Sequence, residues 1–152
     1  MKKKMNMAEV RIMKDLEEVR AISSCKTFFP DKDCILHFVV QIIPQNGLYK
    51  NAKFNFDFKI PDDFPFTRPV VTAATRMWHP NVEETGAVCL NLLRESYTPA
   101  LSISHLIAGL EFLMSSPNPH DPLNKEAADQ MIKNNTAFES KAKEYILLYC
   151  PK

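Results

Sequence analysis

Glycine is scarce in this chain, with 3 among 152 residues, and so is net charge, which is +1 at pH 7. So small a charge argues against the large nucleic-acid footprint of a strongly basic domain, and nucleic acid is not an expected partner. No apolar run approaches the roughly 18 to 20 residues of a membrane-spanning helix, so no membrane partner is expected either. The opening MKKKMNMAEV is basic but has no apolar segment behind it, unlike a secretory signal. Cys25, Cys34, Cys89 and Cys150 include no CxxC pair, and no Cys/His cluster has zinc-like spacing. No metal and no cofactor is expected. Four thiols with no disulfide framework predict a reducing compartment, cytoplasmic or nuclear.

What is present describes an ordinary folded domain. Hydrophobic residues make up 45% and charged residues 24%, which suits one compact catalytic core over 8–152 behind a short basic tail at 1–7. Lysines 2 to 4 of that tail are expected in solvent. From Ala8 to Ala21, Ile12, Leu16 and Val19 recur at helical spacing opposite a charged face. CILHFVVQII, residues 34–43, is β-branched and aromatic and ends at Pro44, as a buried strand would. Asn46-Gly47 offers a turn. In KFNFDFKI, residues 53–60, Phe54, Phe56, Phe58 and Ile60 alternate with polar residues. Period two puts one face on a core and the other in water, and predicts an antiparallel hairpin with the preceding strand. VVTAAT, from Val70, offers a third main strand.

Ile103, Leu106, Ile107, Leu110, Leu113 and Met114 form a broad helical stripe with Ser102 as N-cap and Pro117 and Pro119 as the stop. A shorter helix is expected after Pro122. Thr136 and Glu139 have capping-box spacing ahead of a last helix carrying Phe138, Ala142, Tyr145 and Ile146. Helix, strands, then helices is an α+β order built on an antiparallel sheet.

The chemistry is sought at cysteine, whose thiolate can form a thioester and leave again. Cys25, Cys34 and Cys150 fall at or near element ends and read as small packing residues. Cys89 differs, because His79-Pro80-Asn81 and Gly86 precede it. Pro80 cannot continue a regular strand, so a structured loop running over the surface is expected up to Gly86. The side-chain amide of Asn81 could serve a developing oxyanion or brace a turn, and His79 reads as a hydrogen-bonded structural histidine. A papain-like hydrolase would need a base beside the thiol. His37 lies in a strand pattern, His105 on a helix and His120 in a proline-rich loop, and no cysteine opens a helix.

HPN followed by a cysteine eight positions after its asparagine resembles the signature of the ubiquitin-conjugating enzymes. The likeness extends over nearly the whole chain, through GLYKNAKFNFDFKIPDDFPFTRP, CLNLLRESYTPALSI, PNPHDPLNKEAA and AEVRIMKDLEEV. Within the family, CLNLLRE joined to DPLNKEAA is most similar to the enzymes of neddylation. There are departures: Asn51-Ala52 stands where many relatives have two glycines, and Arg68 where they have proline. Tyr97 takes a place often held by tryptophan, and His120 one often held by an acid. Members that serve neddylation generally carry a long N-terminal extension, whereas only about seven residues precede the first helix here, so either docking on the activating enzyme is weakened or the extension lies outside this sequence.

The resemblance implies a fold of an N-terminal helix, a four-stranded antiparallel sheet and three further helices. It implies that Cys89 accepts a ubiquitin-like modifier from an activating enzyme and passes it to a substrate lysine, with a ligase of RING type holding the target. By the same resemblance Asp121 orients or deprotonates the attacking amine, and Asn118 shapes its loop. Gly86 would let the chain turn so that Cys89 sits in an open groove. Phe66 matches the ligase-contacting aromatic, Pro99 and Ala100 the second contact loop, and Met13 and Lys14 the docking face for the activating enzyme. Ubiquitin itself as cargo, or a non-catalytic module of the same fold, are the rival readings. The second is disfavoured by Cys89 standing in register with HPN.

Overall fold

The computed structural model of the chain describes residues 4–152, so most of the lysine tail lies outside the described residues. The elements run α1 (Met7–Arg20), β1 (Cys25–Phe28), β2 (His37–Ile42), β3 (Phe54–Lys59), β4 (Val70–Ala73), α2 (Ile103–Ser115), α3 (Lys125–Lys133) and α4 (Asn135–Tyr149). A single 3-10 turn at Asn91–Leu93 precedes α2. This is the expected α+β order.

Helix α1 starts where Asn6 accepts a hydrogen bond from the Glu9 N–H (2.8 Å) and the Glu9 carboxylate accepts one from the Asn6 N–H (3.2 Å). Ala8, Ile12, Leu16 and Val19 then form its buried stripe. The strands are antiparallel in the order β1-β2-β3-β4. The predicted hairpin sets Phe38 opposite Phe58, Val40 opposite Phe56 and Ile42 opposite Phe54. All six side chains are buried, and the Phe38 and Phe58 rings stack at 5.3 Å. The residues between them carry polar bonds on the other face, such as Gln41 donating to Asn55 (3.1 Å) and His37 bonded to Asp57 (2.6 Å). Burial of each phenylalanine contributes on the order of 2 to 3 kcal/mol.

The stripe of α2 (Ile103, Leu106, Ile107, Leu110, Met114) joins the sheet and α1 in one core. Asp15, buried on α1, accepts from the first N–H of α2 at Ile103 (3.2 Å) and from Arg11 (3.0 Å). A carboxylate at a helix N-terminus is well placed against the dipole, so this contact fixes α1 to α2.

Three boundaries differ from the sequence reading. β2 begins at His37 rather than Cys34. β4 ends at Ala73, because the N–H groups of Ala74 and Thr75 both turn to the carbonyl of Asn55 (2.8 and 3.2 Å). At α4 the expected Thr136–Glu139 box does not form. Asn134 instead ends α3 through its N–H to Gln130 (2.8 Å) and caps α4 by accepting from the Ala137 N–H (3.1 Å).

Candidate active site

Beyond β4 the chain does not run over the surface as expected. His79, Pro80, Asn81 and Val82 are buried. The fully enclosed His79 bonds at Nε2 to the Leu113 carbonyl (2.9 Å) and at Nδ1 to the Asn81 N–H (2.9 Å). A carbonyl can only accept and an N–H only donate, so His79 is the neutral Nε2–H tautomer. Burial holds its pKa down at about 4, against the partial opposing pull of the Leu113 carbonyl. The ring is thus a strut between this segment and α2.

Asn81 sits on that strut. Its side-chain oxygen accepts from the Asn118 N–H (2.8 Å), and its amide donates to the carbonyls of Asn118 (2.8 Å) and Asp121 (3.2 Å). The neighbouring Pro80 carbonyl accepts from the N–H groups of Leu123 (2.9 Å) and Asn124 (3.0 Å). Asn118 in turn accepts from the His120 N–H (3.0 Å). The loop from Asn118 to Asn124, sequence-distant from HPN, is laced to it bond by bond.

Gly86 acts one step further along. Residues 83–86 turn back, with the Gly86 N–H on the Glu83 carbonyl (2.8 Å). Gly86 has φ +104°, and an added Cβ would stand 2.7 Å from the Ala73 carbonyl oxygen. The Ala73 N–H bonds the Gly86 carbonyl at 2.8 Å, and Ala87 bridges to Thr72. A side chain would prise the segment off the edge of β4; glycine lets it seat there. On the outer side Glu84 accepts from Arg76 (2.9 Å) and from the Tyr145 hydroxyl of α4 (2.5 Å). These bonds, that to Tyr145 foremost, lower the carboxyl pKa of Glu84, and Tyr145 is pushed up to about 12 by the same bond.

Beyond this seat the Cys89 N–H bonds the Asn81 carbonyl (2.9 Å). The thiol is partly exposed in an open groove of about 590 Å³. Asn81, Asn118 and Asp121 line the same groove, and Gly109 and Phe112 of α2, with Ser116 just past its end, also line it. Four candidate residues from three stretches of sequence therefore meet at one place. The remaining cysteines do not share it. Burial raises the Cys25 pKa, aided by Glu111, and pushes the Cys150 thiol up to about 11.

Sequence reasoning missed Arg94. It follows the 3-10 turn, and its Nη2 donates to Cys89 Sγ at 3.0 Å. No pattern in the sequence marks this contact, because the turn between the two residues makes it.

The partner-surface candidates lie elsewhere. Phe66 is 69% exposed and lines one groove with Lys14 and Pro65, while Lys14 and Ala100 line a second. Arg11 ties these regions together, donating to the carbonyls of Pro99 and Leu101 (both 3.0 Å). The Tyr97 hydroxyl donates to the Pro65 carbonyl (2.6 Å). Met13 is exposed but lines a separate groove with Phe29 and Ile35. Among the described residues no helix is long and apolar enough to cross a membrane.

Comparison with known proteins agrees with this geometry. The family pattern described as ubiquitin-conjugating enzyme matches residues 11–146. The chain is 43% identical to the Nedd8-conjugating enzyme UbcE2M of Drosophila melanogaster, over 93% of this chain and 78% of that one. It is 42% identical to the NEDD8-conjugating enzyme Ubc12 of Dictyostelium discoideum, over 93% of this chain and 62% of that one. Among solved structures, the E2 domain of a Toxoplasma gondii ubiquitin conjugating enzyme superposes with a TM-score of 0.86 at 28% identity, covering 93% of this chain and 98% of that one. Fold, matched pattern and relatives agree: this chain belongs to the ubiquitin-conjugating enzyme family.

Proposed function

We propose that the protein carries the ubiquitin-like modifier NEDD8 as a thioester on Cys89 and transfers it to lysines of substrate proteins. The observation that carries this reading is a partly exposed thiol in an open groove shared with Asn81, Asn118 and Asp121. The relatives named as NEDD8-conjugating enzymes support the choice of cargo. In the loading step the Cys89 sulfur attacks the carbonyl carbon of the activating enzyme's thioester. A new S–C bond forms at Cys89, and the activating enzyme's sulfur leaves and takes up the proton. Exchange between matched thiols needs no strongly acidified nucleophile. An open groove suits it, since the extended tail of a protein must lie beside the sulfur.

In the discharge step a neutral lysine amine attacks the same carbonyl. The C–N bond forms, the C–S bond breaks and Cys89 regains its proton. Asp121 stands at the groove mouth to orient the amine or take up its proton. Asn81 holds the loop bearing Asp121. To serve an oxyanion, the Asn81 amide would give up the longer of its two bonds, 3.2 Å to the Asp121 carbonyl. His79, Pro80 and Gly86 support these groups without touching the reacting atoms. A ligase of RING type contacts Phe66, Pro99 and Ala100, and the activating enzyme docks on α1 around Met13 and Lys14. The protein works in the cytosol or nucleus, as one core domain over 8–152.

The cargo is tested by loading. The protein is incubated with ATP and either the NEDD8 or the ubiquitin system, each complete with its own activating enzyme, and initial rates of thioester formation are compared. Faster loading with NEDD8 is expected. Faster loading with ubiquitin would overturn the cargo and leave the cysteine chemistry standing.

A further inference from the structure

Outside the groove lining, but bonded to the Cys89 sulfur, stands a cation that none of these steps uses. Arg94 ends the 3-10 turn, its N–H bonding the Asn91 carbonyl at 2.9 Å, which returns the chain toward Cys89. Its Nη2 donates to Cys89 Sγ at 3.0 Å and, at a long 3.5 Å, to the Asn91 side-chain oxygen. Among the described residues no ion pair involves Arg94. The titratable groups lining the groove with the thiol are Asp121 and His105. Neither bonds the sulfur. The guanidinium is always charged and has no acceptor capacity, so it bonds a thiolate far better than a thiol or a thioester sulfur.

We propose that Arg94 is a further catalytic residue, which stabilises negative charge on the Cys89 sulfur when it attacks and again when it leaves. This rests on the reading that Cys89 carries the modifier. During loading, Sγ gives up its proton, which passes by way of solvent to the departing sulfur of the activating enzyme, and attacks while Nη2 still holds it. Once the S–C bond forms, the sulfur is neutral and Arg94 is released toward the exposed face. On discharge the electron pair of the breaking C–S bond returns to sulfur, and Arg94 meets it again until solvent reprotonates it. Arginine is a hydrogen-bond donor throughout and neither gains nor loses a proton. Loading and discharge should therefore both depend on it. That sets it apart from Asp121, whose part lies in discharge alone.

The test uses the whole protein and R94Q and R94K variants, with two readouts. Alkylation of the free Cys89 thiol by iodoacetamide at pH 7, followed by mass spectrometry of the Cys89 peptide, needs neither modifier nor activating enzyme. Single-turnover loading and discharge with the NEDD8 system form the second readout. Arg94 is exposed, so the melting temperatures should match and a folding defect would be seen directly. R94Q should be alkylated about five- to tenfold more slowly and lose a similar factor in both transfer steps, the scale of one charge-assisted bond at an exposed site. R94K, which keeps the charge, should recover a substantial part of alkylation at low salt, and added salt should narrow the gap. The proposal is overturned if R94Q reacts within about twofold of the wild type in alkylation, or if R94K is as slow as R94Q at low salt. Should the wild type fail to load NEDD8 while the alkylation difference persists, the cargo reading fails and the role of Arg94 stands.

Discussion

The β2–β3 hairpin and the segment from His79 to Arg94 are held by different physics. In the hairpin, position along the strand decides everything: Phe54, Phe56 and Phe58 face inward because they alternate, and each meets its partner by register. In the segment around Cys89, almost nothing is decided by local period. His79 is fixed by Leu113, Asn81 by Asn118 and Asp121, Gly86 by Ala73, and Cys89 by Asn81 and Arg94. Apolar area stabilises the first region, whereas particular hydrogen bonds position the second. Substitutions in the hairpin should therefore cost stability alone, and substitutions in the segment should also cost chemistry.

The largest effect on stability is expected in the hairpin. Phe56→Ala empties a site that is 1% exposed and should cost about 3–5 kcal/mol in urea unfolding. The fraction still folded should be alkylated at Cys89 at the wild-type rate. A change in Cys89 reactivity in folded protein would erase the contrast between the two regions.

Next comes the acid sensitivity of His79. Its folded pKa is depressed to about 4 from the ordinary histidine value of 6.5, so the fold holds the neutral ring while the unfolded chain protonates first. Stability from this residue is complete above pH 6.5 and declines as pH falls through the window down to about 4. The total loss is on the order of 3 kcal/mol. His79→Gln, which can bond both partners without titrating, should flatten that part of the pH dependence. An unchanged slope in this variant would assign the acid sensitivity to other groups.

How much could be read from the sequence follows the same division. The hairpin, the stripes of α1 and α2 and the Ser102 cap are local patterns, and they stood in the sequence in period two, period 3.6 and capping chemistry. β1 went unread because CKTF buries only Cys25, and its pairing with β2 comes from packing rather than alternation. The Asn134 cap was missed because one residue ends α3 and starts α4, which spacing alone cannot distinguish from the Thr136 alternative. Cys89 and Asn81 stand out by the Pro80 and Gly86 around them, and the resemblance of the HPN segment gives them their expected roles. What Asn81 bonds, and that Arg94 reaches the thiol, depend on contacts no one-dimensional pattern encodes.

Asn81→Ala sharpens the comparison further. It strands the Asn118 N–H and two carbonyls, at a cost of about 1–3 kcal/mol. Hydrogen exchange at the Asn118 amide should accelerate. Loading should stay near the wild-type rate while discharge to lysine falls about 100-fold, the usual scale for one oxyanion donor. Equal slowing of both steps would leave Asn81 with a purely architectural part. Gly86→Ala should be the mildest of the series, destabilising by about 1–2 kcal/mol through its positive φ and the Ala73 carbonyl. Loading should slow in proportion to how far the segment lifts from β4, and an alanine variant as stable as the wild type would contradict the seating of Gly86 on that strand.

The central claim, that Cys89 carries the modifier, is tested most directly by mapping the adduct. With ATP, activating enzyme and modifier, the wild-type protein should form a covalent adduct that reducing agent removes. The adduct should persist in Cys34→Ala and Cys150→Ala and be absent from Cys89→Ala. A reducible adduct still formed by Cys89→Ala would contradict the account.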